Sequence, residues 1–128
     1  MPRGFTLIEI ILSIATITVL ASISLPIYQS FQARNDLDIA TVTIVQSIRR
    51  AQVLAQASDG DTSWGVRAQN GNIILFKGTG YGARDASFDE LFDMPTSITP
   101  SGATEILFAK FTGLPQTSGT LMLTSNTN

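Results

Sequence analysis

Gly4-Phe5-Thr6-Leu7-Ile8-Glu9-Ile10-Ile11-Leu12-Ser13-Ile14-Ala15-Thr16-Ile17-Thr18-Val19-Leu20-Ala21-Ser22-Ile23-Ser24-Leu25-Pro26-Ile27-Tyr28 carries the reading of the fold. No charged residue occurs from Ile10 to Ala33. A bilayer core needs roughly 20 apolar residues in a helix, so this stretch is long enough to span one. Two plain alternatives are a cleaved secretory signal peptide and a simple signal anchor. A signal peptide has an apolar core of ~7 to 15 residues followed by a small-residue cleavage site. The run here is longer, although Ala21-Ser22 lies inside it. Glu9 at the entrance is the unusual residue, because acids within a membrane helix cost ~2.5 to 3.5 kcal/mol at its centre on insertion scales and need a partner. No basic residue lies within the following turns. Cutting the chain after Gly4 would supply one, a free α-amino group on Phe5, one helical turn from Glu9.

The chain as a whole is sparse in charge. Of 128 residues, 14% are charged and 44% hydrophobic, with a formal net charge of −2 and neither Cys nor His. Globular proteins average ~25% charged residues, so the deficit is concentrated in the N-terminal segment. The missing side chains remove thiol nucleophiles, imidazole bases, disulfides and the usual zinc and haem ligand sets. No cofactor and no metal are expected.

After Tyr28 the helical period continues with growing polarity. Leu37, Ala40, Ile44, Ile48, Ala51 and Ala55 recur at helical spacing, with Gln46, Arg49, Arg50 and Gln56 on other faces. This stripe is read as core. Ile39, Val42, Val45 and Val53 lie off it and are candidates for contact with neighbouring subunits. The helix is expected to stop at Ser58-Asp59-Gly60-Asp61, where Gly suits a left-handed helix end. One element from Phe5 to Ala57 would run to roughly 80 Å.

Beyond residue 61 the pattern alternates. Ser63–Ala68 and Asn72–Lys77 flank Asn70-Gly71, a strong hairpin signal. Gly78–Asp85 reads as a turn-rich connector; it lacks the Gly-Lys-Ser/Thr ending of a phosphate loop. Ser87–Asp93 is a short strand or turn, and Pro95 and Pro100 limit regular structure between them. Glu105–Phe111 and Gly119–Thr124 are expected as a second hairpin or a pair of adjacent strands. The fold class is therefore α+β, a long N-terminal helix packed on a small antiparallel sheet.

The run from Gly4 to Glu9 resembles the class III signal of type IV pilins and type II secretion pseudopilins: a short basic leader, Gly, an aromatic residue, and Glu five residues after the Gly, ahead of an apolar helix. The resemblance implies that a prepilin peptidase cuts after Gly4, that Phe5 is N-methylated, and that Glu9 pairs with the amine of a neighbouring subunit during assembly. Pro26 stands where many members of the family carry a Pro, and by that likeness it is a helix break that opens as subunits pack. The leader Met1-Pro2-Arg3-Gly4 is short, with a single basic side chain. The head is similar in order to minor pseudopilin H and related minor type IV pilins. There a terminal strand pair ends in an apolar-x-Phe strand, a Gly loop and a Gly-Thr strand, matched by Ile106-Leu107-Phe108, Gly113 and Gly119-Thr120-Leu121-Met122-Leu123.

The expected organisation is a leader at 1–4, a transmembrane and filament-core helix at 5–33, its amphipathic continuation at 34–58 and a β-rich head at 59–128. The expected role is that of a structural filament subunit and not an enzyme: a minor pseudopilin of a type II secretion system, or alternatively a minor or major type IV pilus subunit. A membrane-anchored surface binding module is the rival from another class. The family likeness implies as partners the prepilin peptidase, other subunits through the N-terminal helix, an inner-membrane assembly platform and, before assembly, the lipid bilayer. It places the chain in the bacterial inner membrane as a single-pass protein with its head outside the cytoplasm, and later in a periplasmic or extracellular filament.

Three weaker signals lie in the head. Asp59 and Asp61 around Gly60 have the spacing of a calcium loop's first ligands but no terminal Glu, so a solvated helix stop is preferred. Asp85, Asp89, Glu90 and Asp93 read as a solvated acidic face rather than an acid/base pair. Nucleic acid is disfavoured, since binding it needs clustered positive charge, and only a spatial patch of Arg49, Arg50, Arg67 and Arg84 would provide that.

Overall fold

A computed structural model describes residues 4–126; residues 1–3 of the expected leader lie outside the described part. The first helix, α1 (Leu7–Gln56), has 50 residues. The chain divides into two compact units, Met1–Gln32 and Ala33–Asn128.

In the first unit every described apolar side chain from Phe5 to Ile27 is exposed. The helix contains an 18-residue window of mean hydropathy 2.3, so it is long and apolar enough to cross a membrane. Its hydroxyls are turned inward: Ser13, Thr16 and Thr18 donate to the carbonyls of Glu9, Leu12 and Ile14 at 2.7 to 2.8 Å. Such back-bonding pairs these hydroxyl protons within the helix, as a segment able to enter lipid requires. α1 runs through Pro26 without interruption. Near Pro26 the Ser22 hydroxyl bonds the Val19 carbonyl and the Ser24 hydroxyl bonds those of Leu20 and Ala21. The break expected at Pro26 is not seen in this helix.

In the second unit α1 buries Ala40, Ile44, Ser47, Ala51 and Ala55, with Leu37, Ile48 and Leu54 half-buried beside them. This is the sequence stripe with Ser47 and Leu54 added; the Ser47 hydroxyl is satisfied by the Thr43 carbonyl at 2.9 Å. Small residues at four of the buried positions, Ala40, Ser47, Ala51 and Ala55, let the sheet approach the helix backbone closely. Val42 and Val53 remain more than half exposed.

The helix rests on a four-stranded antiparallel sheet of order β3-β2-β1-β5. β1 is Trp64–Gln69, β2 Asn72–Lys77, β3 Glu90–Asp93 and β5 Glu105–Phe108. The β1–β2 hairpin turns at Asn70-Gly71, as the sequence predicts, with Gln69 opposite Asn72 and Gly71 at φ 83. Trp64, Val66, Ala68, Ile73, Leu75 and Phe108 point to the helix side and form the core with Met94 and Ile98. A separate two-stranded sheet pairs β4 (Ile98–Gly102) with β6 (Leu121–Ser125).

Two expectations are corrected by this topology. Glu105–Phe111 and Gly119–Thr124 do not pair with each other: β5 joins β1, with Trp64 opposite Phe108, and β6 joins β4, with Pro100 opposite Leu123. The chain does turn back after β5, with the Gln116 N–H donating to the Leu107 carbonyl and a bridge between Phe108 and Pro115. Pro115 has no N–H to extend that ladder, and the strand forms later, against β4. The segment between Pro95 and Pro100 is also more regular than expected, since β4 contains Pro100. Bonds from Asn126 N–H to Ser97 C=O and from Ala103 N–H to Thr120 C=O bracket the β4–β6 ladder and set its phase. Hydrogen-bonded pairs then fall at Thr99 and Ser101, and Pro100 occupies a non-bonded position where its missing N–H removes nothing.

The helix end differs in detail. Ser58, Gly60 and Asp61 all have positive φ, at 52, 71 and 54 degrees, where a single Gly was expected to make the turn. The Trp64 indole holds the turn by donating to the Asp59 carbonyl at 2.9 Å.

Gly65, in the centre of the sheet, meets no φ restriction but a steric one. A Cβ there would lie 2.6 Å from the Phe76 ring and 2.8 Å from the Ile106 carbonyl oxygen. Gly65→Ala is therefore expected to destabilise the head by ~1 to 3 kcal/mol. The measurement is denaturant unfolding followed by Trp64 fluorescence; an unchanged midpoint would remove the close-packing argument.

Candidate functional site at the helix entrance

The residues singled out by the sequence, Gly4, Phe5 and Glu9, are brought together at the start of α1 with Thr6, and all four are exposed. Thr6 immediately precedes the first helical residue. Its backbone N–H faces the Glu9 carboxylate at 3.4 Å, and the Glu9 N–H faces the Thr6 hydroxyl at 3.4 Å. The Thr6 carbonyl accepts from the N–H groups of Glu9 and Ile10 at 3.1 and 3.2 Å. This is a reciprocal capping box, in which the Glu9 carboxylate satisfies the Thr6 N–H and the Glu9 N–H is shared between the Thr6 hydroxyl and carbonyl. The partner that Glu9 requires is thus available within the uncut chain, from its own backbone. The carboxylate also lies at the N-terminal, positive end of the helix dipole.

Thr6 was not among the residues read as functional. Its signal was present, because Thr-x-x-Glu directly before an apolar run is the capping-box pattern. Thr6→Ala is expected to weaken the helix start by ~1 kcal/mol, making amide exchange at Leu7 to Ile10 roughly fivefold faster. Exchange unchanged in Thr6→Ala would show that the hydroxyl contributes nothing to the cap.

Gly4 has open space around it, since a Cβ there would meet nothing within 4 Å among the described atoms. No contact among the described residues therefore demands Gly at this position.

The weaker signals in the head resolve into internal pairs. Asp61 accepts from Lys110 at 3.2 Å, and the end of the Lys77 side chain packs directly on Gly60. Two ammonium groups therefore stand at the turn considered for calcium. In the acidic segment Asp85 is bound by the hydroxyl and N–H of Ser87, Asp89 by Arg84 at 2.8 Å, and Glu90 by Arg50 at 2.7 Å. The Ser87 bonds hold the Asp85 carboxyl below the usual carboxylate range, and the bond to Asp89 raises Arg84 above its ordinary value. Among the described residues no group of three or more His, Cys, Asp or Glu side chains is arranged to hold a metal.

Of the four arginines considered for nucleic acid, Arg67 and Arg84 do meet. Their guanidinium carbons lie 4.6 and 3.9 Å from the Tyr81 ring centre. Each is neutralised, Arg67 by Glu105 at 3.1 Å and Arg84 by Asp89. Arg50 is engaged with Glu90, so the paired arginines offer little net positive potential to a phosphate backbone. Tyr81 organises this cluster: its N–H donates to Glu105 at 3.0 Å and its ring meets Phe76 edge-on at 5.6 Å. The segment expected as a loose connector is thus packed on the outer face of the sheet.

Comparison with protein-family models, curated proteins and solved structures finds no match to the chain.

Proposed function

We propose that the chain is a structural subunit of a type IV filament, anchored in the membrane and assembled through its N-terminal helix. The observation that supports this reading most is the run Gly4 to Glu9 directly before the apolar part of α1, whose side chains over residues 7–32 are all exposed. In the proposed sequence a prepilin peptidase hydrolyses the Gly4–Phe5 bond and the new Phe5 amine is methylated. That amine is one residue from the Thr6 N–H that already holds Glu9, so the carboxylate is poised to exchange a neutral donor for a cationic one, a roughly twofold stronger kind of bond. Pairing with the amine of a neighbouring subunit would then set the register between helices. On assembly the apolar surface of α1 exchanges lipid for other helices, where packing and buried polar contacts supply the attraction. Pro26 is the place where this helix would open during packing.

Within this class a type II secretion pseudopilin is proposed ahead of a type IV pilus subunit. The chain is proposed to reside in the bacterial inner membrane with its head outside the cytoplasm before it enters a filament. An inner-membrane assembly platform is the proposed extraction partner. No enzymatic role is proposed. The test is mass analysis of the N-terminus in cells that contain a prepilin peptidase. Loss of Met1 to Gly4 with one methyl group on Phe5 is expected. An intact, unmethylated leader on the mature protein would overturn the reading and favour an anchored surface module.

A further inference from the structure

The tip of the β1–β2 hairpin carries a chemistry separate from its role as a turn. Asn70 and Gly71 are its two loop residues, between the paired Gln69 and Asn72. Asn70 is exposed, and among the described residues its side-chain amide has no hydrogen-bond partner. The peptide group that joins the two is equally free, with no hydrogen bond to the Asn70 carbonyl or from the Gly71 N–H among the described residues. The groups on either side are held. Gln69 and Asn72 belong to the ladder, and the Gly71 carbonyl accepts from the Met94 N–H at 3.0 Å. The Asn70–Gly71 peptide group can therefore turn between fixed neighbours without breaking a bond.

The two free groups are a nucleophile and an electrophile. Once hydroxide has taken its proton, the Gly71 nitrogen can attack Asn70 Cγ. Gly has no Cβ to shield that nitrogen and adopts positive φ without strain, here 83 degrees. Both groups lie within one residue step, so the reaction is intramolecular and escapes the entropy cost of an encounter. The bond from nitrogen to Cγ forms, the bond from Cγ to the side-chain nitrogen breaks, and that nitrogen leaves as ammonia with a proton from water. The product is a five-membered succinimide. Water then opens it on one of two sides. Cleavage of the new bond at Cγ leaves an aspartate, and cleavage at the original backbone carbonyl leaves an isoaspartate whose main chain runs through Cβ and Cγ. Hydroxide and water are the only co-reactants.

We propose that Asn70 is a site of spontaneous deamidation in the folded head, and that its isoaspartyl form loosens the exit of β3. Asn35 and Asn72 provide the contrast. Asn35 lies inside α1, and Asn72 is followed by the β-branched Ile73 in β2, which is paired on both edges by β1 and β3. The aspartyl product adds a charge to a side chain that held nothing. The isoaspartyl product adds a main-chain atom to a two-residue loop whose length matches the strand pairing. That shifts the Gly71 carbonyl away from Met94, which is buried in the core beside the end of β3. The chemistry is confined to the head and does not depend on the filament reading.

The test uses the full-length chain in detergent micelles, aged in mildly alkaline and mildly acidic buffer and then digested with trypsin. The peptide of residues 68–77, released by cleavage at Arg67 and Lys77, is sequenced by mass. Replacement of the amide nitrogen by oxygen is expected at Asn70 well ahead of Asn72 and Asn35, faster at alkaline pH, with labelling by an isoaspartyl methyltransferase. Asn70→Gln, which would have to close a six-membered ring, is expected to lose the reaction. Amide exchange at Met94 should be roughly fivefold faster in the isoaspartyl fraction, the effect of one lost hydrogen bond, and unchanged in Asn70→Asp. Conversion that waits for denaturant, or equal conversion at Asn72, would overturn the site. Equal Met94 exchange in the isoaspartyl and Asn70→Asp chains would overturn the loosening of β3.

Discussion

Gly4→Ala is expected to leave the chain in the membrane with its leader attached, lowering mature product by ~100-fold or more. The size of the effect follows from geometry at the scissile bond, where a misplacement of about 1 Å costs on the order of a hundredfold in rate. The structure makes this substitution a clean probe. A Cβ at Gly4 meets nothing within 4 Å among the described atoms, and the residue lies outside α1. Folding and insertion should be unaffected, so loss of cleavage would report only what the peptidase requires. The measurement is the ratio of cut to uncut chain in membranes. Normal cleavage of Gly4→Ala would count against recognition of this site by a prepilin peptidase.

Glu9→Val is expected to insert normally and to be excluded from filaments. Removing the acid eases membrane insertion, since the penalty for an ionisable residue in a span disappears. What is lost is a hydrogen bond to a charged group, worth ~1.5 to 3 kcal/mol per contact, enough for at least about a tenfold fall in incorporation. The capping box adds a second variant. Glu9→Gln keeps an acceptor for the Thr6 N–H at 3.4 Å but carries no charge. If pairing with an amine is the role, Gln fails as Val does; if the cap alone matters, Gln restores assembly. Incorporation of Glu9→Gln at the wild-type level would therefore sink the pairing role while leaving the cap intact.

The legibility of this chain varies with the range of the interactions involved. The helix over Leu7–Gln56, its buried stripe and the Asn70-Gly71 hairpin were all readable, because each depends on side chains a few residues apart. The same holds for the Thr6–Glu9 box, whose spacing was in plain view although only Glu9 was read as functional. Strand partners were a different matter. Glu105–Phe108 and Leu121–Ser125 have strand-like sequences and a turn between them, which makes a hairpin the natural expectation. They join different sheets because β1 has a free edge for β5, and Ile98–Gly102 provides β6 with a partner. Pro100 looked like a breaker and became a strand residue, since the ladder's phase put its missing N–H at a position that forms no bond.

Charge behaved in the same way. Asp85, Asp89 and Glu90 are close in sequence and resemble an acidic face, yet each is bound by a different group. Three of the four arginines considered for a basic surface, Arg50, Arg67 and Arg84, are the partners of two of these carboxylates and of Glu105. Such pairing spans up to 40 residues and has no local spacing to reveal it.

The order of residues was thus sufficient for the apolar segment, its acid at the entrance, and the α+β class, because periodicity and helix caps are set by neighbours along the chain. Folding in three dimensions settled which strands pair and which charges cancel. Those outcomes depend on backbone hydrogen bonds and side-chain packing between distant segments, whose energies are comparable among several pairings until one common core satisfies them together.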